Sequence, residues 1–285
     1  MIDLHTHTNE SDGTYTPAEL IQGALDGQLD ALAITDHDTF AGYDLAVPVA
    51  QAQGFDLICG IELSARLALS RGGAKTVHLL GYFLCEPPSL TFREWLSGQQ
   101  AERRERNIKL IANLRTAGVD IELAEVEAMG RSLAGRPHFA KILVRKGYSA
   151  STEHAFRDYL GETAPGFVER ESPAIALAIQ TVIAGGGIPV VAHPVRLGFR
   201  DHGDEEAAIG DMRNAGLLGI EVYHSDHSPA DCARYLRLAQ KYGLAVTGGS
   251  DFHGANKPRI GLGTGMDGNV NVPKNVLDTL RKLCG

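Results

Sequence analysis

The stretch LDALAITDHD, residues 29–38, holds the key to the fold. Residues 29–35 form a short, largely apolar run with no polar–apolar alternation, which is how a β-strand buried on both faces reads. It stops abruptly at Asp36, His37 and Asp38. The same grammar recurs along the chain. A first strand begins at residues 2–5 and runs into His5-Thr6-His7. A third, residues 55–63, carries Glu62 at its end, and a fourth, residues 76–84 (TVHLLGYFL), contains His78. A fifth, residues 188–193 (IPVVAH), ends in His193. A sixth, residues 218–223 (LGIEVY), is followed by His224. A seventh, residues 244–248 (LAVTG), leads into Ser250-Asp251-Phe252-His253.

Amphipathic segments separate several of these strands. Residues 17–28 predict a helix with Thr16 as N-cap and Pro17 in its first position. Residues 205–215, 229–242 and 273–283 predict three more. Buried strands alternating with helices imply a parallel sheet covered on its outside, either an α/β barrel or a doubly wound sheet. Between residues 91 and 165 the alternation stops and only helices are expected, a small insertion that includes the basic run Arg103, Arg104, Arg106, Lys109 and Arg115. A solvated helix face is the plain reading of that run; a lid touching an anionic substrate is the alternative.

The composition narrows the function. The 285 residues carry 27 Lys+Arg against 35 Asp+Glu, a net charge of -8, so bulk electrostatic binding of duplex nucleic acid is excluded and any bound phosphate needs a locally positive site. A hydrophobic content of 44% with 22% charged residues excludes a disordered chain. Cys59, Cys85, Cys232 and Cys284 form no C-x-x-C pair, so thiolate zinc sites and disulfides are not expected and the thiols read as reduced. No run approaches the roughly 20 apolar residues of a membrane span. The early histidines leave no room for a signal peptide's apolar segment, so a cytoplasmic location is expected. Gly263 to Gly268 satisfies G-x-G-x-x-G on paper but opens no helix in a strand–helix–strand unit, and it reads as a turn-rich loop.

The polar residues at the strand ends are the chemistry. In a parallel barrel the C-terminal strand ends share one face, where active sites form. His5 and His7 are two apart on an extended segment and project to one side, and Asp251 and His253 repeat that spacing. Imidazole with carboxylate and no thiolate suits zinc, manganese or iron. The candidates are His5, His7, Asp12, His37, Glu62, His78, His193, Asp251 and His253, enough for two or three divalent ions sharing a carboxylate. Three dications would carry +6 against -3 from Asp12, Glu62 and Asp251, leaving a trap for phosphate or hydroxide. Asp36, beside His37, is expected to fix an imidazole tautomer by a hydrogen bond.

The set HTHTNESDG, TDHD, Glu62, His78, AHP and SDFH, in this order across residues 5 to 253, resembles the polymerase-and-histidinol-phosphatase (PHP) superfamily. The resemblance implies a distorted seven-stranded (β/α)7 barrel, here residues 1–90 and 166–285, with residues 91–165 as a small all-helical insertion acting as a substrate lid. It implies one metal on His5, His7, Glu62 and Asp251, a second on Glu62, His78 and His193, and a third on Asp12, His37 and His253. Some relatives carry histidine at the position of Asp12; the harder carboxylate favours manganese.

Within the superfamily, the insertion, GRPHFA (residues 135–140) and AHPVR are most similar to bacterial phosphatases of 3′,5′-nucleotide bisphosphates. The implied reaction removes the 3′-phosphate by in-line attack of a metal-activated hydroxide, leaving a nucleoside 5′-monophosphate. Arg196 is the expected clamp on the scissile phosphate, because a planar fork matches phosphate oxygens. Arg136 and His138 are expected at the remote 5′-phosphate, with a solvent-facing helix start as the alternative reading. His224, with His227, is a candidate proton donor or ribose contact, against an exposed loop. His154 and His202 read as surface residues. Histidinol-phosphate phosphatase, a 5′→3′ exonuclease on short 5′-phosphorylated single strands, and a non-catalytic metal-binding module are the alternatives. No membrane or obligate protein partner is implied.

Overall fold

The computed structural model describes residues 1–69, 72–130, 134–169 and 172–284. Seven strands, β1 (Ile2–Thr6), β2 (Ala31–Ile34), β3 (Asp56–Ala68), β4 (Ala74–Phe83), β5 (Ile188–Val191), β6 (Gly219–His224) and β7 (Ala245–Gly249), lie side by side in chain order. The sheet curls until its edges meet. Phe252, just past β7, bridges Thr6 in parallel, and the Asp251 N–H donates to the His5 carbonyl at 2.8 Å. The result is a near-closed, distorted barrel.

The expectation of an all-parallel sheet fails at one strand. β4 runs antiparallel to both β3 and β5, while the other strand pairings of this seven-stranded sheet are parallel. A parallel return needs a crossover of a dozen or more residues. Here β3 and β4 are joined only by residues 69–73, whose Gly72 and Gly73 both take positive φ. The reversal matters for function, because it brings His78, in the first half of β4, opposite Ser64, beyond Glu62 on β3.

The helices cover the outside. α1 (Pro17–Asp26) starts behind Thr16, whose hydroxyl accepts the Glu19 N–H while the Glu19 carboxylate accepts the Thr16 N–H. α2 (Ala41–Gln53) has no sequence signal of comparable strength, and Pro48 lies inside it. α3 (Leu90–Thr116), α4 (Leu123–Gly130), α5 (Arg136–Arg145) and α6 (Thr152–Ala155) form the helical insertion between β4 and β5, with a core of their own that includes Leu110, Leu114, Phe139 and Leu143. α7 (Ile175–Ala184), α8 (His202–Asn214) and α9 (Pro229–Tyr242) then alternate with β5, β6 and β7. The glycine-rich stretch at 263–268 belongs to a small hairpin of β8 (Ile260–Gly261) and β9 (Gly265–Met266), consistent with a turn rather than a dinucleotide cradle. Among the described residues no helix is long and apolar enough to cross a membrane.

Inside the barrel, Leu4, Ala33, Ile58, Leu80, Tyr82 and Val190 pack against Val272, Val276, Leu277 and Leu280, so the final segment with α10 (Asn275–Arg281) plugs the barrel floor. The buried Tyr82 hydroxyl donates to the Leu4 carbonyl at 2.8 Å. Cys85, after β4, and Cys284, after α10, are disulfide-bonded with Cα atoms 5.6 Å apart. This corrects the expectation of four reduced thiols. The sequence separation of 199 between the two cysteines hides a proximity that arises only when α10 folds back under the barrel. Cys59 and Cys232 are free thiols, as expected.

Candidate metal centre

Two register slips aim the site. Pairing of β1 with β2 shifts by one residue between Asp3 and Thr6, and pairing of β6 with β7 shifts between Glu221 and Tyr223. Along a regular strand neighbouring side chains face opposite sides; an extra residue in one strand breaks that alternation. Leu4 can therefore join the interior core while His5 also points inward to Glu62, and Glu221 and His224, three apart, both face the centre.

Glu62 is the hub. Its Oε2 lies 3.2 Å from His5 Nε2, 3.1 Å from His7 Nε2 and 3.2 Å from His37 Nδ1. Its Oε1 lies 2.7 Å from His78 Nδ1 and 2.9 Å from His193 Nε2. Asp251 Oδ1 approaches His7 Nε2 at 3.4 Å and His5 Nε2 at 3.7 Å. Asp12 lies 3.2 Å from His253 Nε2 and 3.8 Å from His37 Nε2. All nine candidate ligands thus converge. Their donor atoms fall into four compact groups: His7, Asp12, His37 and His253; His5, Glu62 and His193; His37, Glu62 and His78; and His5, His224 and Asp251. His224 is the addition.

The donor set fits divalent ions. Bonds of about 2.0–2.2 Å from metal to nitrogen or oxygen separate neighbouring tetrahedral ligand atoms by about 3.3 Å, and the separations around His5, His7, Glu62 and Asp251 span 3.1–3.7 Å. His5 Nε2 and His7 Nε2 are fully buried and make no hydrogen bond. Burial drives the His37 and His193 imidazoles down to about 3, so both are neutral with a lone pair to offer. Burial alone would raise the Glu62 carboxyl, yet the imidazoles of His37, His78 and His5 hold it well below the usual range. Burial opposes charge on His7 too, but Asp251 and Glu62 lift it to about 9, the effect of a carboxylate-rich centre that attracts cations. The donors suffice for two or three divalent ions.

A cleft of about 590 Å³ opens over this centre. It is lined by Asp12, His37 and His78 of the centre, by Arg103, Arg106, Arg136 and His138 of the insertion, by Arg66, Lys75 and Arg196, and by the apolar rings of Phe156 and Phe167. The basic run divides between its two readings. Arg103 and Arg106 turn toward the cleft, while Arg104 and Arg115 are exposed and pair with Glu127 and Glu122. Arg136 is half-buried. His138 is buried rather than solvent-facing, and its Nδ1 accepts the Gly135 N–H at 3.0 Å.

Arg196 donates from Nε to Asp226 at 2.6 Å and from Nη2 to Asp251 Oδ2 at 2.8 Å. His224 and His227 are buried, which overturns the exposed-loop reading. His224 Nδ1 accepts the Asp226 N–H at 3.0 Å, and its Nε2 lies 3.5 Å from Asp251. His227 is engaged by the Val222 carbonyl at 2.7 Å. His202 is exposed and His154 half-buried against Ser151. Asp36 needs a correction. It accepts from the Thr8 N–H, the Thr8 hydroxyl and the Ser11 hydroxyl at 2.6–2.7 Å, shaping the loop before Asp12 instead of holding an imidazole directly.

Four supporting residues escaped the sequence reading. Glu221 and Asp3 are fully buried acids in otherwise apolar strands, a signal that was available. Asp3 accepts from the Ser250 N–H and hydroxyl and the Gly263 N–H, tying β1 to the loop that carries Asp251. Asp38, at φ 49°, accepts the Ser64 N–H and pairs with Arg103 of the insertion. Lys257 lies 2.7 Å from Asp251 Oδ2, with no sequence signal to mark it.

Comparison with known proteins agrees with this geometry. The PHP domain model matches residues 3–156, and the fold brings His193, Asp251 and His253 from outside that span to the same centre. A 3′,5′-nucleoside bisphosphate phosphatase of Chromobacterium violaceum is 33% identical over 256 residues, covering 88% of this chain and 87% of its own. A 5′-3′ exoribonuclease of Haemophilus influenzae is 32% identical over 252 residues, covering 88% and 89%. The crystal structure of a candidate metal-dependent phosphoesterase of Bifidobacterium adolescentis superposes with a TM-score of 0.81 at 30% identity, over 98% of this chain and 94% of that one. The chain belongs to the PHP family of metal-dependent phosphoesterases and is related to the bacterial 3′,5′-nucleotide bisphosphate phosphatases.

Proposed function

We propose that this enzyme removes the 3′-phosphate of nucleoside 3′,5′-bisphosphates, with residues 91–165 acting as the lid over the substrate. The observation that carries the reading is that one cleft is lined both by Asp12, His37 and His78 of the nine-residue candidate metal centre and by Arg103, Arg106 and Arg136 of the insertion. A small substrate with phosphates at both ends matches that charge pattern better than a monophosphate does. The Chromobacterium relative, whose name is that activity, supports it.

In this reading His5, His7, Glu62 and Asp251 hold one ion, Glu62, His78 and His193 a second, and Asp12, His37 and His253 a third, with manganese favoured. Such ions would acidify water and offset charge on the phosphoryl oxygens. Arg196 keeps its fork fixed through Asp226 and Asp251 and presents its remaining N–H groups to the scissile phosphate. His224 stands beside the same carboxylate, its Nε2 3.5 Å from Asp251. That position makes His224 the candidate proton donor to the departing ribose oxygen. Arg136 and His138, with Arg103 beside them, bind the 5′-phosphate, and Phe156 and Phe167 offer apolar surface to the base. The manganese-loaded protein should release phosphate from adenosine 3′,5′-bisphosphate far faster than from AMP; equal or negligible rates on both refute the reading.

The Haemophilus relative favours a second reading, stepwise 5′→3′ cleavage of short 5′-phosphorylated RNA. A ladder of shortened products from a 5′-phosphorylated oligonucleotide, absent without the 5′-phosphate, separates it from the first.

A further inference from the structure

Glu221 touches two ligands of the centre without being a candidate ligand itself. It is fully buried in β6. Its Oε1 lies 2.9 Å from His5 Nδ1, and its Oε2 accepts the His193 main-chain N–H at 2.6 Å. His5 and His193 belong to different strands, and each offers its Nε2 to Glu62, at 3.2 and 2.9 Å respectively. The two contacts act differently. At His5, an acceptor on Nδ1 requires that nitrogen to carry the hydrogen, which leaves the Nε2 lone pair directed at the centre. At His193, the backbone takes φ 25°, a sparsely populated conformation for a residue with a side chain, and a short charge-assisted bond to its N–H holds it there.

We propose that Glu221 is a positioning residue for metal binding, fixing the tautomer of His5 and the main-chain conformation of His193 and so coupling two metal positions through one carboxylate. The inference rests on the metal-centre reading and not on the identity of the substrate. A glutamine at 221 keeps the shape but can accept only one of the two bonds with its single oxygen, turning an N–H group toward the other donor.

The test uses the full-length protein and the metals alone. Glu221→Gln should weaken Mn2+ binding about 10- to 100-fold in calorimetric titration, while the thermal midpoint and circular dichroism of the metal-free protein stay close to those of the parent. In the parent loaded with Zn2+ and 15N-labelled at histidine, the His5 resonance, assigned by its loss in His5→Gln, should show a protonated Nδ1 and a metal-bound Nε2. Unchanged Mn2+ affinity in a folded Glu221→Gln protein overturns the proposal. So does a His5 ring bound through Nδ1, a readout that stands even where the variant does not fold. Neither measurement contains a phosphate ester, so a wrong substrate assignment would leave both results intact.

Discussion

Arg196 and Asp251 are joined across the mouth of the metal centre, guanidinium Nη2 to carboxylate Oδ2 at 2.8 Å, while the other carboxylate oxygen faces His5 and His7. One acid thus serves the metal side with one oxygen and orients a phosphate-binding fork with the other. Arg196→Lys keeps the charge and loses the planar geometry. We expect kcat/KM for adenosine 3′,5′-bisphosphate to fall about 10- to 100-fold, with metal content unchanged. An activity within twofold of the parent would remove Arg196 from the phosphate site.

Asp251→Asn and His193→Ala each delete a ligand from a different part of the cluster. Both proteins should remain folded, bind fewer manganese ions by elemental analysis, and lose turnover. Because Glu62 contacts five imidazoles with its two oxygens, Glu62→Gln should reduce metal content further than either. Full metal occupancy in Glu62→Gln would contradict its place as the bridge.

The insertion's cationic wall predicts a split between substrates. Arg136→Ala should raise KM for adenosine 3′,5′-bisphosphate about tenfold or more, the loss of a hydrogen bond between charged groups. Hydrolysis of adenosine 3′-monophosphate, which lacks the remote phosphate, should barely change. A parallel loss on both substrates would place Arg136 at the reacting phosphate.

The disulfide predicts a stability effect remote from the chemistry. Cys284→Ser releases a cross-link across a sequence separation of 199, and should cost about 2–5 kcal/mol, seen as a thermal midpoint several degrees lower under non-reducing conditions. Dithiothreitol should bring the parent to the same midpoint. An unchanged midpoint in both experiments would mean that the Cys85–Cys284 bond contributes nothing to stability.

The convergence of the site was legible because each candidate stood beside an apolar run, so a regular sheet was enough to bring distant residues together. The seven strands and α9, with its bounds at Pro229 and Tyr242, followed from the same patterning. What patterning could not carry was direction and register. β4 reads like its neighbours and differs only through the short turn before it. Glu221 and His224 differ by an odd number, and strand alternation assigns them to opposite faces; only the register slip makes both inward. Asp36 was misread for a related reason. Adjacency to His37 in sequence says nothing about proximity of side chains, and its carboxylate turned to Thr8 and Ser11. Cys85 and Cys284 meet through the return of α10, a contact no local pattern encodes.

The seam of the barrel sets an order of assembly. The strand bearing His5 and His7 meets Asp251 and Phe252 only when the long stretch of chain between them has folded back, and Ile2 pairs with Val272 from farther still. A chain truncated before residue 251 keeps His5, His7 and Glu62 but lacks the Asp251 and Phe252 contacts that close the seam. Closing the seam and completing the ligand set are therefore one event: the contacts that bring Thr6 beside Phe252 also bring Asp251 to His5 and His7.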